Sequence, residues 1–255
     1  AGNDLLYDEK LVEQGRNFAN KIWNAFRLVK GWEIDNSLSQ PEENKTAITW
    51  FESKMNQSLI ELEDHFGKYR MSDALMCIYK LIWDDYCAWY LEMIKPEFGK
   101  PIDKETYDKT VSLFETLLKA LHPFMPFITE ELWHELKERK DKDCIIVGSW
   151  PKPSSVDSSI LKESSTAFEL ITQVRNSRNA KGISPKEALK LYQSPESKVS
   201  LNSFWPIVKK LSNINEVYSS TEKPAGISFL VGTAEFIIPL EGKIKSGGQV
   251  IQSSP

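Results

Sequence analysis

Three asparagines and two cations stand at spacings that bring them together. Asn17, Asn20, Lys21, Asn24 and Arg27 follow one another at intervals of three, one, three and three, so on a helix they line a single polar stripe, with Arg16 beside it. Between Gly15 and Lys30 there are four basic residues and no acid. An Asn amide both donates to and accepts from a base edge, while Lys and Arg neutralise phosphate, so the set suits splayed single-stranded bases. A solvated face whose Asn side chains bond neighbouring helices fits the same pattern. Asn is a poor helix former, and three within eight residues call for one use or the other. A second basic concentration runs from Ser159 to Tyr218, with nine Lys or Arg against five Glu. There Arg175, Arg178 and Lys181 sit three apart with Asn176 and Asn179 between them, which reads as another amide-and-cation surface or as a solubilising face.

Catalytic sets are not found in the sequence. The three His (His65, His122, His134) have no Ser or Cys near them in a nucleophile motif, and no phosphate-cradling glycine loop or His-Glu-x-x-His occurs. The three Cys (Cys77, Cys87, Cys144) form no Cys-x-x-Cys pair, so neither a disulfide framework nor a zinc site is expected. Asp84-Asp85 interrupts an aromatic run and is expected to pair inside the fold. The formal net charge of -4, with 41% hydrophobic and 27% charged residues, excludes a disordered chain and one that is basic throughout. With no apolar run of membrane-spanning length and no basic or apolar leader at Ala1 to Asp4, no membrane partner is expected and a cytoplasmic location is the expectation.

The stripe needs a scaffold, and the first half supplies helices. Periodicity predicts helices over about Asp4–Trp32 (Leu11, Phe18, Ile22, Ala25, Phe26 and Val29 inward), Asn44–Phe66 with Asn44 as cap and Gly67 just past the end, and a third from a Ser72 cap to Pro96. A fourth starts at an Asp103 cap and ends near His122-Pro123, and a fifth covers Pro126–Lys140. Short loops make this an antiparallel helical bundle over residues 1–148. The Pro/Ser-rich stretch from Trp150 to Ser155 marks a boundary, and a small α+β domain follows over residues 159–245. Its expected elements are a helix Ser159–Ala180, a strand Ala188–Tyr192, a helix Lys198–Leu211, a strand ending at Tyr218 and a hairpin about Gly232. Residues 246–255 are expected to be a disordered tail.

Gly15-Arg16-Asn17-Phe18-Ala19-Asn20-Lys21-Ile22-Trp23-Asn24-Ala25-Phe26-Arg27 resembles the opening helix of the anticodon-binding domain of the valyl-tRNA synthetases, a class I family. Trp83-Asp84-Asp85-Tyr86-Cys87-Ala88-Trp89-Tyr90-Leu91-Glu92 is similar to the family's third helix, and Leu121-His122-Pro123-Phe124-Met125-Pro126-Phe127 through Trp133 to the segment opening its last bundle helix. Val174 to Asn179 with Gly182-Ile183-Ser184-Pro185, and Val231-Gly232 through Phe236 to Gly242, resemble the small domain after the bundle. The resemblance implies a mainly α fold and a fragment without catalytic or editing domains. The family's His-x-Gly-His and Lys-Met-Ser-Lys-Ser motifs are missing, so ATP belongs to the parent enzyme and no cofactor to this chain. It further implies valine tRNA as partner, gripped by its anticodon stem and loop, and a monomer. Asn17, Asn20, Lys21, Asn24 and Arg27, with Arg16, would face the anticodon, and Arg175 and Arg178 the tRNA backbone. Trp83, Trp89 and Tyr90 read as core rather than as a base-stacking platform. A helical protein-interaction module without RNA binding is the alternative.

Overall fold

The computed structural model describes residues 8–140, 142–195, 199, 201–220 and 222–239. The chain divides into two compact units, Ala1–Lys162 and Glu163–Pro255.

In the first unit α1 (Glu9–Lys30) starts where the Asp8 carboxylate accepts from the Lys10 amide at 2.9 Å. Its expected apolar face holds from Phe18 onward: Phe18, Ile22, Ala25, Phe26 and Val29 are buried. Leu11 is not, at 62% exposure, because nothing from residue 8 to residue 17 is covered. A two-residue parallel bridge joins β1 (Ile34–Asp35) to β2 (Ile102–Asp103). Helix α2 (Glu42–Gly67) begins two residues before the expected cap. Asn44 therefore lies inside its first turn, buried, and donates to Asp103 Oδ2 at 3.4 Å and Thr106 Oγ1 at 3.3 Å instead of capping its own helix. Gly67 is the last helical residue, and the left-handed φ of 57° falls on Tyr69.

α3 (Met71–Lys80) continues without a break through a π-helical stretch, Leu81–Tyr90, into α4 (Leu91–Ile94). Ser72 is its second residue, not its cap. The π stretch aims Tyr86 and Tyr90 at Phe51, with ring centroids 5.3 and 4.9 Å away, and Tyr86 also stacks on Phe114 at 5.4 Å. All four rings are buried, and together with Trp50 they form the aromatic centre of the bundle. The buried Tyr90 hydroxyl reaches Thr110 Oγ1 at 2.8 Å. Asp103 caps α5 (Lys104–Leu121) as expected, accepting from the Thr106 amide at 2.8 Å. α6 (Pro126–Leu136) stops four residues short of Lys140. Arg139 causes this: its Nε donates to the Trp133 carbonyl at 2.7 Å, its guanidinium lies 3.3 Å from the Trp133 ring centroid, and it pairs with Glu115.

The second unit is α+β. α7 (Ser158–Lys181) buries Ala167, Leu170, Ile171 and Val174. The strands β3 (Leu189–Gln193), β4 (Ile214–Tyr218), β5 (Gly226–Val231) and β6 (Ala234–Pro239) form one sheet in the order β4-β3-β6-β5. β3 and β4 are parallel and connected through α8 (Trp205–Ser212), while β5 and β6 form the expected hairpin. The hairpin turn uses Gly232 at φ 57°, a left-handed value that an L side chain would resist. Gly226 is a second requirement, since a Cβ there would sit 2.2 Å from the Ile238 carbonyl oxygen. α8 begins at Trp205 rather than Lys198, with Pro206 in its first turn where a missing N–H costs nothing. Lys198 and residues 240–255, including the expected tail, lie outside the described residues.

Candidate nucleic-acid interface

The buried face of α1 fixes the orientation of everything opposite it. Asn17, Asn20, Asn24 and Arg27 are all exposed, and Lys21 is half-buried. At about 100° per residue the five span an arc of roughly 120°, one continuous strip of the helix surface. Asn17, Asn20 and Asn24 form no side-chain hydrogen bond within the described residues, so their amides are not spent on joining helices. The cations differ in commitment. Arg16 pairs with exposed Glu13 at 3.1 Å, a contact of small worth in water. Lys30 donates to the Leu136 carbonyl at 3.3 Å. Lys21 stands 5.0 Å above the Trp83 ring, whose partner Tyr79 stacks at 5.6 Å. Arg27 has no acidic partner among the described residues. The strip is thus a run of amides without partners among the described residues, flanked by cations, a surface that offers hydrogen bonds to base edges and charge to phosphate.

The aromatic residues sort by burial. Tyr90 is wholly buried, and Trp83 and Trp89 are half-buried. Trp23, by contrast, is 37% exposed and touches Phe26 at 5.8 Å between ring centroids. It lies on α1 between Asn20 and Arg27, and nothing in the sequence analysis gave it a role. The available signal was its offset of one residue from the inward-facing Ile22.

On α7 the two arginines part company. Arg175 is exposed and donates to the Leu211 carbonyl from Nε at 3.4 Å and from Nη2 at 3.2 Å. Arg178 is only 4% exposed. Its Nη1 donates to the Ser184 carbonyl at 2.9 Å, and its Nη2 to the Ser212 and Asn213 carbonyls at 2.8 and 3.0 Å. The expectation of an RNA contact by Arg178 is therefore corrected. Its guanidinium occupies the carbonyl end of α8, where the last turn leaves acceptors unpaired and the helix dipole is negative. Asn213 closes that helix in a left-handed conformation at φ 51° and donates to the Pro185 carbonyl at 3.0 Å. Beside the two arginines a cavity of about 380 Å³ is lined by Asn179, Lys210 and Asn213 among others.

Other polar candidates are structural. Asp85 faces Lys54 at 4.0 Å, the pairing expected of an acid in the aromatic run, and burial pushes its carboxyl up to about 6. Asp84 is exposed. His122 Nδ1 meets Thr129 Oγ1 at 2.7 Å.

Residues 49–193 match the family model described as the anticodon-binding domain of tRNA ligase. The chain belongs to this family. Among similar proteins, the valine–tRNA ligase of Christiangramia forsetii is 46% identical over 245 residues, and that of Phocaeicola vulgatus 49% over 247 residues; each alignment takes in 96% of this chain and 28% of the relative. The valine–tRNA ligase of Zymomonas mobilis is 35% identical over 257 residues, 95% of this chain and 29% of its own length. The chain thus spans a little over a quarter of the relatives it matches. α1 lies before the matched residues 49–193, whereas Arg175 and Arg178 lie within them.

Proposed function

We propose that this chain is the part of a valine–tRNA ligase that holds the anticodon stem and loop of valine tRNA. On this reading the longer protein joins valine to its tRNA with ATP, and this portion sets the position of the tRNA without catalysing the joining. Asn17, Asn20 and Asn24 hydrogen-bond the unstacked bases, while Arg16, Lys21 and Arg27 neutralise the flanking phosphates. Arg175 adds a backbone contact from the second unit. Trp23 offers one face to a base alongside Asn20. The observation that carries the reading is the exposure of three Asn amides without protein partners among the described residues, on a helix stretch that holds four cations and no acid. The chain is proposed to act as a cytoplasmic monomer; among the described residues no helix is long and apolar enough to cross a membrane. Titration of the chain with valine tRNA and with a non-cognate tRNA tests this, and equal affinity for both would count against anticodon reading by this surface.

A further inference from the structure

Outside the α1 strip, one group of side chains is assembled from residues whose spacing gives no hint of it. Glu130 and His134 are four apart on α6 and face the same side, with His134 Nε2 3.1 Å from Glu130 Oε1. Cys144 is brought to them by the segment that follows the helix. One donor atom from each of the three residues lies within 4.8 Å of the others.

The thiol is held there from both sides. On one flank, the Asp143 carbonyl accepts from Trp133 Nε1 at 3.1 Å and the Asp143 carboxylate from Arg139 Nη1 at 3.3 Å. On the other flank, the Ile145 amide donates to both Glu130 oxygens at 3.2 Å each. Both neighbours of Cys144 are thereby tied to α6 or to the arginine that ends it. A cavity of about 350 Å³, lined by His122, Pro126, Phe127, Glu130, Glu131, His134 and Ile146, opens beside the imidazole and the carboxylate. The three groups are anchored and reachable from solvent.

We propose that Glu130, His134 and Cys144 bind a zinc ion, with water from the adjoining cavity completing a tetrahedral set. The donors are one carboxylate oxygen, one imidazole nitrogen and one thiolate sulfur. That mixture suits zinc and disfavours calcium and magnesium, which take oxygen ligands. On binding, the Cys144 thiol gives its proton to solvent as the sulfur–zinc bond forms. The ion clamps the segment from Asp143 to Val147 onto α6, and it needs no cysteine motif because helix and loop are brought together by the fold. The other two thiols are poor rivals. Burial pushes Cys77 up to about 11 and Cys87 up to about 12.

The test uses the 255-residue chain stripped of metal and titrated with cobalt(II), then with zinc. One equivalent of cobalt is expected to give a thiolate-to-metal charge-transfer band that zinc abolishes. Cys144→Ser is expected to lose that band, and His134→Gln to weaken zinc binding by at least about tenfold. Glu131→Gln, next to the site on the same cavity, is expected to leave binding unchanged, and circular dichroism confirms that each variant folds. Absence of the band in the unaltered chain, or zinc affinity unchanged in both Cys144→Ser and His134→Gln, overturns the proposal.

Discussion

Replacing Arg178 with Met separates a structural arginine from an RNA contact. The substitution keeps the buried aliphatic volume and removes donors from three carbonyls, those of Ser184, Ser212 and Asn213. Hydrogen bonds to a charged group are each worth about 1.5–3 kcal/mol. The full sum is not lost, because Ser184 is exposed and Asn213 half-exposed, so water can replace the guanidinium there. Ser212 is buried, and its carbonyl is left stranded at a cost of about 1–3 kcal/mol. Loss of the cation at the α8 carboxyl end adds about 1 kcal/mol. The expected destabilisation of the second unit is thus about 3 kcal/mol, or a fall of roughly 12 °C or more in its melting temperature. Urea unfolding read by hydrogen exchange of the β3 and β4 amides measures it. At a temperature where the variant is folded, tRNA affinity should change less than about twofold, about 0.4 kcal/mol. An unchanged unfolding midpoint together with a tenfold loss of tRNA affinity would refute the assignment of Arg178 as a helix clamp.

Two further outcomes follow from the first unit. Asp85 has a carboxyl raised from 3.8 to about 6, chiefly by burial, with Lys54 opposing and Asp84 adding to the shift. The folded state therefore binds more protons than the unfolded one between these values, and the Asp85 contribution favours folding below pH 3.8 and is lost as pH rises through about 6. Asp85→Asn is expected to raise stability by about 1–3 kcal/mol at pH 8 and to change it little at pH 4; paired thermal melts at both values decide. Trp23→Ala should weaken valine tRNA binding by about fivefold or more if its exposed face stacks a base, since such stacking is worth about 1–3 kcal/mol. Unaltered affinity in a filter-binding titration would return Trp23 to a packing role.

Local pattern carried much of the fold. The inward residues of α1 from Phe18 to Val29, the Asp103 cap and the Gly232 hairpin are all set within a few residues of sequence, and all were legible there. What was not legible depends on partners far along the chain. Asn44 looks like a cap because it precedes an apolar run, yet it answers to Asp103 and Thr106, about sixty residues away. Arg178 shares a spacing of three with Arg175 and looks equally exposed, but the end of α8 comes back over it. The π stretch hides likewise, since its i→i+5 bonding leaves the composition of Leu81–Tyr90 looking like any broad apolar helix. The α1 strip was readable as a strip. Whether its asparagines had protein partners was not, because that depends on which neighbouring helices approach it.

Whether the α1 strip meets tRNA is decided by titrating the chain carrying both Asn24→Ala and Arg27→Ala with valine tRNA at two salt concentrations. Four phosphate contacts, from Arg16, Lys21, Arg27 and Arg175, would make the unaltered chain lose about fiftyfold in affinity for a fourfold rise in salt. The double variant should bind at least about tenfold more weakly at low salt, with a shallower salt dependence and an unchanged circular dichroism spectrum. Affinity and salt slope equal to those of the unaltered chain would take α1 out of the interface.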